Sequence, residues 1–218
     1  SYGASTGSDV YNQAESDFSV DFNGDGTIGL PLSSPTLEPL FQDQWHLQSE
    51  ASEGANVEQA WLQTTDNGAP IYGTDILIAI VDDGVEFDHE DLSVNYVASS
   101  SYDFVDDDSD PSPDITDADF HGTAVAGIAA GYGHNGIGIS GVAPNASFSA
   151  IRHYGANDDL ADSIALKYAL ESTDIYNNSW GPFDTGNIDP LGPLTTATFA
   201  EGIANGRDGK GVIYTWAG

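Results

Sequence analysis

The chain has 218 residues, 39% of them hydrophobic, which is enough for one sizeable core and excludes a disordered chain. Its 35 acidic residues face 4 basic ones, a formal net charge of -31 that disfavours nucleic acid and anionic membranes as partners, because both are polyanions. Cysteine and methionine are absent, which excludes a disulfide framework and thiol chemistry, and no apolar stretch approaches transmembrane length. The acidic balance suits cations, basic peptides and high salt; it is also what a solvated surface of a salt-tolerant protein looks like.

Residues 1–35 are rich in Ser, Gly, Asp and Asn, lack periodicity, and read as an extension or linker. Within them Asp21, Asn23 and Asp25 occupy positions 1, 3 and 5 of an EF-hand-type loop, with Gly26 at position 6 and Ile28 at position 8. Leu32 stands where the bidentate Glu belongs, so the segment is either a local calcium site or an Asx-rich turn. The first residue is Ser1, and a signal peptide and pro-region upstream would fit that start.

From Glu38 onward the pattern becomes regular, and residues 36–218 read as one domain. A near-continuous apolar run at 75–81 predicts a buried parallel strand. Small apolar residues at 121–131 predict a buried helix, and 147–151 a second strand. Leu160, Ile164, Ala165 and Tyr168 share one face of a predicted helix at 159–171. A third strand follows at 175–179, a helix at 195–205 and a fourth strand at 211–216. Strands alternating with helices imply an α/β fold with a mostly parallel sheet.

In such a sheet, functional groups collect at the carboxyl ends of the strands. Asp82 directly follows the first strand, where it could cap a turn or carry chemistry. His121 opens a helix and is followed by Gly122, Thr123 and Ala124, small enough for the helix to pack closely on the sheet. The positive helix end favours a neutral ring able to accept a proton, and a buried carboxylate on the other nitrogen would hold the tautomer.

Asp82-Asp83-Gly84 followed by His121-Gly122-Thr123 resembles the subtilase superfamily, in which Asp, His and Ser come in that chain order. Asn177-Asn178-Ser179-Trp180-Gly181-Pro182 is similar to the substrate-groove segment of its kexin and furin branch. Glu38-Pro39-Leu40-Phe41 and Gln44-Trp45-His46-Leu47 resemble the start of that branch's catalytic domain, so the likeness covers about residues 38–218. It implies a three-layer α/β/α fold and a secreted, calcium-dependent serine endopeptidase that hydrolyses peptide bonds after Lys or Arg, often after paired basic residues.

The resemblance also implies roles by position. Asp82 would orient His121, the general base. Ser179, Trp180 and Gly181 would line the groove through their backbone. Asp83 would face the second residue before the scissile bond, Asp184 the base of the primary pocket, and Asp162 a place further up the cleft. A carboxylate left unpaired is costly, so such acids would select basic peptides. Ala118, Ala124 and Val125 depart from the acid, arginine and cysteine that the family often carries around the histidine.

For calcium, the resemblance implies a group of Glu38, Asp91 and Asn135 with the carbonyls of Tyr132, Ile137 and Ile139, and a second of Asp103, Asp108 and Asp110. Asp184 would serve a third ion beneath the primary pocket. The family's nucleophile sits in Gly-Thr-Ser, which these 218 residues do not contain. The expectation is therefore an N-terminal part of the catalytic domain, truncated before the serine, whose partner is the remaining C-terminal part of the same protease. A catalytically inactive peptide-binding relative and a calcium-stabilised structural module are the alternatives.

Overall fold

Leu77–Asp82 forms the first strand, β1, and all six residues are buried. Its neighbours explain why: β3 (Ser147–Arg152) pairs with it on one side and β4 (Ile175–Asn178) on the other, both parallel. The two-residue β2 (Tyr102–Asp103) lies outside β3, and β5 (Ile213–Trp216) outside β4. The sheet order is β2-β3-β1-β4-β5. The chain thus crosses from one side of β1 to the other between β3 and β4. The carboxyl end of β1 is therefore a switch point, where crevices form in parallel sheets. The computed structural model describes residues 35–48, 54–66, 68–114, 116, 120–133, 135–153, 158–181 and 190–217. The EF-hand-like positions Asp21, Asn23 and Asp25, and also Asp184, lie outside these residues.

Alternation along β1 builds two cores. Ile78 and Ile80 pack with Phe148, Ala150, Ala126 and Ala130, the last two from helix α2 (His121–Ala130). Ala79 and Val81 face the other way, onto Ile151, Tyr176, Val212 and Ala165 of helix α3 (Asp159–Ala165). Helix α4 (Pro193–Gly209) joins α3 on that side, its Phe199 ring 4.7 Å from that of Tyr214. Helices therefore cover both faces of the sheet, the three-layer arrangement expected. A smaller cluster of Phe41, Leu47, Val57 and Trp61 includes the short helix α1 (Val57–Trp61), which the sequence pattern did not signal. Trp61 ties it to the main body by donating its indole N–H to the Val142 carbonyl at 2.9 Å.

Aspartates hold the heads of α3 and α4. Asp158 accepts from the Leu160 and Ala161 N–H groups at the head of α3. Asp159 reaches across to the Leu194 and Thr195 N–H groups at the head of α4. These bonds satisfy donors that a helix leaves open and place negative charge at its positive end.

One helix end differs from the predicted one for a physical reason. The helix predicted over 159–171 stops at Ala165. Beyond it, Tyr176 Oη donates to the Tyr168 carbonyl and Tyr214 Oη to the Leu166 carbonyl, so strand side chains take over carbonyls that further helix would have used. Helix α4 loses helical geometry at Gly206, Arg207 and Asp208, leaving regular helix where 195–205 was predicted.

Candidate active site

The site assembles at the carboxyl ends of β1, β3 and β4. Asp82 closes β1 and is 4% exposed. Gly84, two residues on, turns the chain at φ +123°, a conformation that glycine adopts without strain. His121 opens α2 against this turn, and its Nδ1 lies 2.7 Å from Asp82 Oδ1, with the ring 57% exposed. Asp82 Oδ1 also accepts from the Asp83 N–H at 2.9 Å, while Oδ2 is buried with no hydrogen-bond partner among the described residues. The hydrogen bond to Asp82 raises the His121 pKa, partly opposed by burial of the ring. Burial also pushes the Asp82 carboxyl up, and its bonds to His121 and to the Asp83 N–H pull it back.

The result is an ordered pair. Asp82 is held by the sheet, it fixes one ring nitrogen, and the other ring nitrogen is left for chemistry. A neutral imidazole so held can accept a proton, and a buried carboxylate beside it stabilises the imidazolium that would form.

Ser179, Trp180 and Gly181 follow β4 directly, beside the end of β1. Ser179 Oγ accepts from Asn177 Nδ2 at 2.9 Å. Trp180 donates its indole N–H to the Val81 carbonyl, and its ring meets those of Trp216 and His153 edge-on. Gly181 is exposed.

The other two described groove acids face inward. Asp83 Oδ1 accepts from the Gly122 N–H at 2.6 Å and Oδ2 from the His121 N–H at 3.1 Å. Asp162 pairs its Oδ1 with Nε2 of the buried His153 at 2.8 Å. His153 in turn donates its backbone N–H to the Asp82 carbonyl. Sequence reasoning passed over Arg152 and His153, although both stand at the carboxyl end of a predicted strand, where such residues are worth attention.

One expected calcium group lies on segments that hydrogen-bond to one another. Asp91 is 4% exposed; its backbone carbonyl accepts from the Tyr132 N–H and its Oδ2 from the Ile139 N–H. Asn135 Nδ2 reaches the Glu90 carbonyl, and Asn135 Oδ1 accepts from the Ile137 N–H. The segment bearing Glu38, 3% exposed, docks on the same loop through the Leu40 N–H and the Gly138 carbonyl. Asp91 Oδ1 is buried with no hydrogen-bond partner among the described residues, and burial pushes this carboxyl above its ordinary range. Gly138, at φ +52°, leaves the space beside Asp91 open; a Cβ there would collide with the carboxylate. Buried carboxylates, amide oxygen and a crowded loop fit a hard cation.

The second group is committed elsewhere. Asp103, 1% exposed, accepts from Arg152 Nη1 through Oδ2 and from the Val105 and Asp106 N–H groups through Oδ1. Asp108 Oδ1 accepts from the Asp110 N–H, and Asp110 Oδ1 from the Ser112 N–H and hydroxyl. Among the described residues no three acidic or histidine side chains cluster as a metal site. Asp103, Asp108 and Asp110 therefore share a turn without converging their carboxylates.

The subtilase family model matches residues 73–218, which include Asp82, His121 and the 179–181 segment. The chain belongs to the subtilase family. This subtilase is 42% identical over 190 residues to Endoprotease bli-4 of Caenorhabditis elegans, a match covering 85% of this chain and 19% of that protein. It is 40% identical over 185 residues to Kexin of Saccharomyces cerevisiae, covering 83% of this chain and 22% of that one. The subtilase thus spans about a fifth of the length of these relatives. Its fold is shared with the serine protease of Aeromonas sobria, solved with the chaperone ORF2, at a TM-score of 0.64 and 24% identity over 83% of this chain and 31% of that one. No described helix is long and apolar enough to cross a membrane.

Proposed function

We propose that this chain is the Asp- and His-bearing part of the catalytic domain of a secreted, calcium-dependent serine endopeptidase that cleaves after Lys or Arg. The observation that carries this is the 2.7 Å contact between His121 Nδ1 and Asp82 Oδ1 at the end of the central strand. His121 Nε2 would take the proton of a serine hydroxyl as it attacks the scissile carbonyl, then pass it to the departing amine. That serine would come from a Gly-Thr-Ser segment outside these 218 residues. The backbone of Ser179, Trp180 and Gly181 would hold the peptide alongside.

Preference for basic residues rests on the kexin and furin resemblance, on Asp184, and on a net charge of -31 that draws cationic peptides to the protein. Glu38, Asp91 and Asn135, with the carbonyls of Tyr132, Ile137 and Ile139, would hold calcium. The ion would supply charge balance for the buried carboxylates and lock the N-terminal segment to the loop after α2.

The test is hydrolysis of matched peptide substrates ending in Arg, Lys or Leu by the intact protein. Cleavage after Arg and Lys, falling by roughly four orders of magnitude in Asp82→Asn, is expected. Binding of the basic peptides without turnover would replace this reading with an inactive peptide-binding relative.

A further inference from the structure

Helix α2 begins without a cap of its own: Phe120, at its N-cap position, makes no side-chain hydrogen bond to the first turn. A helix leaves its first N–H groups unsatisfied, and a helix that carries a catalytic base cannot fray there without moving the base. The acceptor comes from another element. Asp83, which follows β1, takes the His121 N–H on Oδ2 at 3.1 Å and the Gly122 N–H on Oδ1 at 2.6 Å. Its negative charge also lies at the positive end of the helix.

Gly122 shows how tightly the two parts are pressed together. A Cβ on it would lie 2.9 Å from Asp82 Cβ and 3.0 Å from Asp83 Oδ1, and closer still to the Gly84 carbonyl. With the bond between His121 Nδ1 and Asp82 Oδ1 at 2.7 Å, consecutive acids hold one histidine twice. Asp82 grips the ring and Asp83 grips the backbone that carries it.

We infer that Asp83 is a positioning residue for His121, capping the first turn of α2 from the end of β1 and thereby setting the imidazole against Asp82. This role rests on the reading of His121 as the general base, and it differs from that of a carboxylate waiting in the groove for the substrate's penultimate residue. A cap acts on every substrate, whereas a subsite acid acts only on those whose side chain reaches it.

Asp83→Asn and Asp83→Ala in the intact protease, assayed on two peptide series that differ only in a basic or apolar penultimate residue, separate the two. The cap predicts a loss in kcat of roughly ten- to a hundredfold on both series with KM little changed. Asparagine, which keeps one acceptor oxygen, should retain more activity than alanine. A loss confined to the basic series, and expressed in KM, would overturn the inference.

A second measurement is independent of turnover. The imidazole and backbone amide signals of His121, followed by NMR as pH is varied, should shift in Asp83→Asn. The titration midpoint should move to lower pH, since a negative charge near the ring is gone, and one of the His121 and Gly122 amides, left without an acceptor, should lose its downfield position. Unchanged amide positions and an unchanged midpoint would refute the cap even if the wild-type protein hydrolyses nothing, so this arm fails separately from the proposed function.

Discussion

Trp180 donates its indole N–H to the carbonyl of Val81 at 2.9 Å, one residue before Asp82. The wall of the proposed groove is thereby pinned to the strand that carries Asp82. The same ring rests edge-on against Trp216, 4.6 Å between centroids, and against His153 at 5.5 Å, so one side chain links the ends of β1, β3, β4 and β5. Trp180→Phe keeps an aromatic ring and removes the donor. It should cost about 1 kcal/mol in urea unfolding, the ordinary net worth of one hydrogen bond. Trp180→Ala, which also empties the packing, should cost about 3 kcal/mol. Equal losses for the two variants would show that the hydrogen bond, and not the ring, dominates.

His121 should titrate above the ordinary histidine value of about 6.5, because the hydrogen bond from its ring to Asp82 favours the imidazolium more than burial opposes it. A raised folded value means that the charged pair contributes stability in full below about pH 6.5 and loses it as pH rises through the folded pKa. Catalysis by the neutral ring, as proposed, runs the other way, so any hydrolytic rate of the intact protein should climb over the same interval. Asp82→Asn should lower the His121 midpoint in an NMR titration. A midpoint that stays in place would mean that the 2.7 Å contact does not govern the ring's charge.

Calcium should raise the melting temperature of the intact protein, and a chelator should reverse it. A ligand at about a hundred times its Kd contributes roughly 2.7 kcal/mol if it binds only the folded state. Asp91→Asn, which removes the charge of the buried carboxylate, should blunt the response, whereas Asp108→Asn, on an exposed turn, should leave it nearly intact. The reverse ranking would place the ion in the 103–110 turn.

Arg152 bridges two acids of unequal worth. Asp103 is 1% exposed and Asp106 is 66% exposed, each within 2.8 Å of Arg152 Nη1. Arg152→Met strands a buried anion and should cost about 3–5 kcal/mol in urea unfolding. Asp106→Ala removes a solvent-screened partner and should cost less than about 1 kcal/mol. Comparable losses would show that the turn depends on the exposed pair.

Much of this protein is written locally. The apolar run that became β1 is buried whole because strands flank it on both sides, and a run of that kind has few other stable settings. Asp82 and His121 were legible because their neighbours are as informative as they are: a strand before one, small helix-packing residues after the other. The family likeness followed from motifs in order, and the structure sets His121 against Asp82 and ties Trp180 to Val81, the residue before that acid.

What tertiary structure decided is where side-chain bonds go between distant segments. Strand order places β3 and β4 on either side of β1, and hydrophobic alternation in a fully buried run does not encode that choice. The end of α3 depends on hydroxyls from Tyr176 and Tyr214, which lie well beyond it in the chain. The direction of a carboxylate is likewise not a local property. The motif led to the expectation of Asp83 and Asp162 as groove acids; in the structure one accepts from the backbone of α2 and the other pairs with His153, partners that come from other elements of the fold.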